Sequence, residues 1–347
     1  MSASPSEPLL SVRELHTTFP IRSALLRRVT GHIQAVAGVS FDLRPGETLG
    51  LVGESGSGKS TLARTVIGLE KAASGTVTFD GRELTSASPA ELRAARRDIQ
   101  MIFQDPYSSL NPRRTAGQIV AEAWEIHPDV VSRSRWRDEV SDLLARVGLD
   151  PSHADRYPHQ FSGGQRQRLG IARALALKPK IVICDEAVSA LDVSIQAQVL
   201  NLLADLQADL GLTYLFIAHD LSVVRHVADR VAVMYLGRVV EVADQEEIFQ
   251  RPTHPYTQAL LSAVPVPRPW DQPQRESIII GGDVPSPADP PSGCRFRTRC
   301  WKAQDVCAQV EPALEIRLGL HPSACHFAEL LSAAPGNSPE GSLTPGG

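Results

Sequence analysis

The stretch "TLGLVGESGSGKSTLARTVIGL", Thr48 to Leu69, changes character twice within 22 residues. "TLGLV" is a short apolar run of the kind buried in a sheet. Gly53, Gly56 and Gly58 then interrupt it, and from Lys59 onward Leu62, Val66 and Ile67 fall at helical spacing. A buried strand that enters a glycine turn and opens a helix is a cradle for phosphate. The glycines let backbone N–H groups along Gly53, Glu54, Ser55, Gly56, Ser57 and Gly58 turn toward the anion. Lys59 then reaches the β- and γ-oxygens, Ser60 offers a hydroxyl to Mg2+, Thr61 follows in the same turn, and the helix N-terminus favours negative charge. Such a loop must sit at the carboxyl end of a strand, which points to an α/β fold.

The rest of the chain agrees. "KIVICDE" is a continuous apolar strand of the type buried on both faces of a parallel sheet, and "TYLFIA" and "VAVMY" follow after intervening helices. One of these helices is expected to be capped by Ser194, with Ile195, Val199, Leu202, Leu203, Leu206 and Leu210 on one stripe and Gly211 as its stop. Upstream, "SVRELHTTF", "QAVAGVSFDLRPGE" and "GTVTFDG" suggest a small antiparallel sheet. Residues from about 89 to 157 are polar and Arg-rich with helical patches and no strong strand, and are expected to form a helical insertion. Beyond Arg251 proline accumulates, marking a linker and a small loop-rich module. The resulting division is a flexible leader over 1–8, a nucleotide-binding domain over 9–260, an extension over 261–328 and a disordered tail over 329–347.

With 42% hydrophobic residues, 21% charged residues and a net charge of -4, the chain can bury a large core and shows no broad basic footprint for nucleic acid. The opening "MSASPSEPLL" is not a secretory signal, and no uncharged apolar run spans a bilayer, so a cytosolic protein is expected.

Asp185 and Glu186 close the apolar run "IVICDE" at the end of the strand where ligands collect. There Asp185 can orient Mg2+ through its hydration shell and Glu186 can take a proton from an attacking water. Cys184 lies inside that run and reads as buried packing. "FSGGQRQR", Phe161 to Arg168, adds a Ser-Gly-Gly-Gln turn opening a helix, again suited to a phosphate.

Taken in order, Phe19, "GESGSGKST", Gln104 in "MIFQDP", Ser162-Gly163-Gly164-Gln165, "CDE", "SALD" ending in Asp192, and His219 in "IAHD" resemble the motifs of ATP-binding-cassette (ABC) ATPases. The resemblance spans about residues 9–260. It implies a P-loop cassette with a RecA-like parallel core, with Phe19 stacking on adenine and with Gln104 sensing Mg2+ and nucleotide. It also implies that His219 contacts the γ-phosphate, and that Ser162 to Gln165 serve the nucleotide of a second cassette, so that two chains pair head-to-tail. "QDPYSSLNPR", "CDEAVSALDVSIQAQVLNLL", "RPTHPYTQALLSAVP" and "GCRFRTRC" narrow the likeness to the ATPase subunits of bacterial oligopeptide and dipeptide importers, with related nickel and other solute importers sharing much of it. The implied partners are two transmembrane permease subunits, a second ABC ATPase subunit, identical or paralogous, and indirectly an extracytoplasmic solute-binding protein. The implied location is the cytoplasmic face of the bacterial inner membrane. A soluble cassette acting on DNA or ribosomes would call for paired cassettes, coiled-coil arms or a basic face, and none is evident. A non-hydrolysing binding subunit is disfavoured by the presence of Lys59, Asp185, Glu186 and His219.

Four of the five cysteines, Cys294, Cys300, Cys307 and Cys325, fall in the terminal module with the spacing C-x5-C-x6-C-x17-C. This matches neither short ferredoxin runs nor a paired zinc ribbon, and by spacing alone it suggests a four-thiolate metal site. The family resemblance implies a 4Fe-4S cluster. Arg295, Arg297, Arg299 and Lys302 would offset its charge and lower the thiol pKa values. Zinc, with His321 or His326 as replacement ligands, is the second reading, and unliganded thiols the third.

Overall fold

A computed structural model describes residues 7–22, 28–105, 109–263 and 278–330. Residues 1–6 of the leader expected over 1–8 and residues 331–347 of the tail expected over 329–347 lie outside these residues. Two sheets organise the chain. Strands β1 (Leu10–Arg22), β2 (Val29–Leu43), β4 (Ser74–Phe79) and β5 (Arg82–Glu83) form an antiparallel sheet in the order β2-β1-β4-β5. The larger sheet has the order β11-β12-β10-β9-β3-β8-β7-β6. Within it β3 (Thr48–Val52), β6 (Ile99–Ile102), β7 (Ile181–Asp185), β8 (Thr213–Ala218) and β9 (Arg230–Tyr235) run parallel to their neighbours. β10 (Arg238–Asp244), β12 (Pro322–Ser323) and β11 (Glu315–Ile316) continue it antiparallel, so the terminal extension is stitched onto the edge of the cassette's own sheet.

Alternation along the parallel strands splits the core in two. Ile181, Ile183, Leu215 and Ile217 pack with α1 (Lys59–Val66) beneath the antiparallel sheet. Val182, Cys184, Tyr214 and Phe216 face the helices α3 (Ala116–Ile126), α5 (Gly163–Leu175) and α6 (Val193–Leu210) on the other side. Cys184 is fully buried, as packing requires, and burial holds its thiol protonated well above the usual range. Gly50 lets α7 (Leu221–Val227) lie directly on β3, where an added Cβ would come within 2.3 Å of Val224.

Two local expectations change. The Arg-rich stretch expected as a helical insertion with no strong strand contains β6, the edge strand beside β7, directly after the capped helix α2 (Pro89–Asp98). Four residues are too few to show a period, so only pairing with β7 reveals the strand. α6 begins at Asp192 rather than Ser194 as N-cap, and Gly211 ends it at φ 64° as anticipated. Val199, Leu203 and Leu206 are buried on its stripe, whereas Leu210, in its last turn, is 43% exposed. α4 (Trp136–Arg146) completes the helical layer. The described residues contain no helix long and apolar enough to cross a membrane.

Candidate active site

The glycine loop is wedged between backbones of both sheets. Gly53 has φ 158° and an added Cβ would lie 2.1 Å from the Met234 carbonyl oxygen; Gly58 has φ 104° and would meet the Ala35 carbonyl oxygen at 2.0 Å. Neither position accepts a side chain, so the loop shape is set by backbone contact. Ser55 and Gly56 are exposed at its tip, while Ser57 and Lys59 are buried. Gly237, in the β9–β10 turn, donates its N–H to the Ser57 carbonyl at 2.8 Å. Lys59 Nζ donates to the Gly53 and Glu54 carbonyls at 2.7 and 2.9 Å. Burial pulls the Lys59 pKa down, opposed by the charges of Glu186, Asp185 and Glu54.

Opposite the loop, Ser60 Oγ donates to Asp185 Oδ1 at 2.7 Å. Burial raises the Asp185 pKa, with the Ser60 hydrogen bond and the Arg64 charge acting against it. Glu186, directly after β7, adopts φ 48°, an uncommon conformation for a residue with a side chain. Its carboxylate accepts from Gln104 Nε2 at 2.8 Å, and stands 3.5 Å from His219 Nδ1 and 4.0 Å from Lys59 Nζ. Thus Lys59, Gln104 and His219, from three separate segments, meet at one carboxylate. A carboxylate so placed beside a phosphate loop can orient a water and accept its proton. The hard oxygen donors of Ser60, Asp185 and Gln104 suit Mg2+, which would supply charge neutralisation at the phosphates.

Other expected residues lie apart. Ser162 caps α5 in a reciprocal box with Gln165, Ser162 N to Gln165 Oε1 at 3.0 Å and Gln165 N to Ser162 Oγ at 3.3 Å. Gly164 leaves room for Ile195 of α6, whose Cγ2 would stand 2.5 Å from an added Cβ, and Gly163 faces Leu191. Asp192 caps α6 through its backbone and is exposed. None of these contacts reaches the glycine loop. Phe19 is half-buried on β1, opposite Ile33. Tyr256, Arg299 and the β9–β10 turn also touch the loop; they lie about 180 to 245 residues downstream in sequence, beyond the reach of any local motif.

Cys294, Cys300, Cys307 and Cys325 line one small cavity with His254, Phe296, Arg297, Lys302, His326 and Phe327. Among the described residues, however, no group of three or more His, Cys, Asp or Glu side chains could hold a metal ion. The expected lowering of thiol pKa is reversed: burial pushes Cys294 up to about 11, Cys325 up to about 12, and Cys300 up as well. Burial outweighs the cations, of which Lys302 still acts to lower Cys300. Arg295 and Arg299 turn to the cassette, Arg297 Nε donates to the Ser292 carbonyl at 2.9 Å, and Lys302 pairs with Glu329. His321 is not at the cavity. Its Nε2 lies 2.7 Å from Glu241, a fully buried carboxylate that also accepts from Thr253 N and Thr253 Oγ at 2.6 and 2.7 Å. His326 does line the cavity, with Nε2 on the Val310 carbonyl.

The ABC transporter family matches residues 36–189, and the oligopeptide/dipeptide transporter C-terminal region matches residues 240–307. The oligopeptide transport ATP-binding protein AppF of Bacillus subtilis (strain 168) is 54% identical over 328 residues, covering 94% of this chain and 99% of that protein. OppF of Escherichia coli (strain K12), another oligopeptide transport ATP-binding protein, is 56% identical over 283 residues, covering 82% and 85%. Among solved structures, the dimeric post-hydrolysis state of the ATP-binding cassette MJ0796 bound to ADP and Pi is 29% identical with a TM-score of 0.61, covering 68% of this chain and 98% of that one. With a cassette built around a phosphate loop, a transporter-type extension and full-length relatives above 50% identity, the chain belongs to the oligopeptide transport ATP-binding proteins, the ATP-hydrolysing subunits of ABC transporters.

Proposed function

We propose that the chain powers uptake of di- or oligopeptides across the bacterial cytoplasmic membrane. It would be seated on the cytoplasmic face against two permease subunits and supplied from outside by a solute-binding protein. The convergence of Lys59, Gln104 and His219 on Glu186 beside the glycine loop carries the hydrolytic part of this reading. Glu186 is assigned as general base, His219 as the γ-phosphate contact, and Ser60, Asp185 and Gln104 as the Mg2+ side of the site. Ser162 to Gln165 and Asp192, remote from this chain's own loop, are assigned to the nucleotide of a second cassette. The peptide substrate is supported by the names of the relatives and by the matching extension. The test is copurification of the complex and its reconstitution in vesicles. ATP turnover should rise with peptide and binding protein present, and turnover indifferent to peptides would move the chain to another solute.

For the terminal module the reading is a 4Fe-4S cluster held by Cys294, Cys300, Cys307 and Cys325, with zinc second. Two features support thiolate ligation: the chamber that all four cysteines share, and backbone N–H groups directed at sulfur. Lys302 N donates to Cys300 Sγ at 3.4 Å, and the backbones of Phe296 and Phe327 approach Cys294 and Cys325 in the same way. When bound, the group would supply a covalent cross-link for a module with little apolar core. Anaerobically purified protein should be brown, with about four irons and four sulfides per chain. Stoichiometric zinc without sulfide would replace the cluster.

A further inference from the structure

The segment between the first two cysteines leans on the phosphate loop. Arg299 Nη1 donates to Glu54 Oε2 at 2.8 Å, with the Arg299 side chain 9% and the Glu54 side chain 25% exposed. The Glu54 N–H donates to the hydroxyl of Tyr256, in the helix Pro255–Ser262, at 2.9 Å. Tyr256 is fully buried, and burial keeps its hydroxyl protonated. At the other end of the loop, Arg295 donates to the Leu236 carbonyl and, at 2.9 Å, to Gln34 Oε1. The adjoining Gly237 holds the Ser57 carbonyl. Phe296 fills the space between, its ring 5.2 Å from Tyr235 and 5.3 Å from Tyr256.

We propose that the Cys294–Cys300 segment is a brace for the phosphate loop, and that Arg299 and Tyr256 are positioning residues that set this chain's affinity for nucleotide. The electrostatics give the reason. Glu54 puts a carboxylate inside a loop whose ligand is a polyanion, and an unpaired charge there opposes binding. Arg299 neutralises it from a site shielded enough that solvent screens the pair little. Tyr256 anchors the Gly53–Glu54 peptide, whose carbonyl accepts from Lys59, as does the Glu54 carbonyl that follows. Unseating the cysteine module would free Glu54 and slacken the loop while leaving Gln104 and His219 in place at Glu186. Seating of the module therefore acts on binding of ATP more than on its hydrolysis.

The test is equilibrium ATP titration and steady-state turnover of the full-length protein. Arg299→Ala should weaken binding about tenfold and raise KM in step, with kcat within about twofold of the parent. Arg299→Lys should recover part of the loss. Glu54→Gln combined with Arg299→Ala should bind better than Arg299→Ala alone, because the unpaired charge has gone. Cys300→Ser should reproduce the Arg299→Ala loss and add little to it in the double variant. Tyr256→Phe, which keeps the aromatic packing, should give a smaller loss and carries the test if an Arg299 variant fails to fold. Parent-like affinity in both Arg299→Ala and Tyr256→Phe would overturn the proposal. So would a fall in kcat at unchanged affinity, or fully additive losses for Cys300→Ser and Arg299→Ala.

Discussion

The phosphate loop and the cysteine module meet at Glu54, yet they are held together by different forces. The loop is bounded by β3 and α1, inside a sheet whose parallel strands pair over four or five residues with apolar side chains filling both faces. The module contributes two strands of two residues each, and among its described side chains few large apolar groups are buried, Phe296 foremost. Its position depends on polar contacts with distant parts of the cassette: His321 on Glu241, Arg299 on Glu54, Arg295 on Leu236. A structure held by ladders and burial tolerates the loss of one contact. One held by a few shielded polar contacts does not.

The largest effect should therefore come from the module's anchor. Glu241→Ala leaves buried Thr253, His254 and His321 groups without their acceptor and should cost about 3–5 kcal/mol of seating. Limited proteolysis would read this as early release of the extension, with the cassette core persisting; simultaneous loss of both would erase the distinction between the regions.

Acid should act in the same direction. His254 is buried at the cavity wall, and burial lowers its pKa from 6.5 to about 4, with Glu241 opposing the shift. The folded state keeps the imidazole neutral while the unfolded chain takes up a proton at higher pH. The associated stability is thus complete above pH 6.5 and lost as pH falls toward 4, in total about 3 kcal/mol. Glu241 is also buried, yet hydrogen bonds from His321, Thr257 and Thr253 hold its pKa below 4.5, so its contribution is lost only at still lower pH. A pH series of thermal unfolding should show the first of these losses in the parent and flatten in His254→Gln.

Within the cassette, Glu186→Gln should slow hydrolysis by ~100-fold, about 2.7 kcal/mol, while ATP binding persists. Turnover near the parent value in an assembled complex would remove Glu186 as base. The smallest effect concerns the cap of α5. Ser162→Ala removes one hydrogen bond of a reciprocal box and should cost about 1 kcal/mol in stability. It should also lower turnover with nucleotide affinity at this chain's own loop unchanged. Lys59→Ala should show the opposite split, with binding lost first. Equal binding losses in both would argue against assigning the two motifs to different nucleotides.

The strand-turn-helix around Lys59, the apolar strand ending in Asp185 and Glu186, and the alternation of strands and helices were all legible, because each is encoded within 20 residues or so of continuous chain. β6 was not, since four residues carry no period of their own and pair only because β7 is already there. The start of α6 was misplaced by two residues: Asp192 and Ser194 are both residue types that cap helices, and the helix begins after Asp192.

The cysteines show the limit most clearly. Their number and spacing marked a module of shared thiol chemistry, and the structure gathers all four around one chamber. The basic residues among them were assigned to the sulfurs by proximity in sequence. Tertiary structure sends Arg299 instead to a glutamate 245 residues away and Arg295 to a turn of the central sheet. Sequence alone determined what depends on local covalent order: which turn must be glycine, which face is apolar, which carboxylates end a strand. Tertiary structure decided which charge meets which, because an ion pair between segments hundreds of residues apart depends on where the fold places its ends and on how far water is excluded between them.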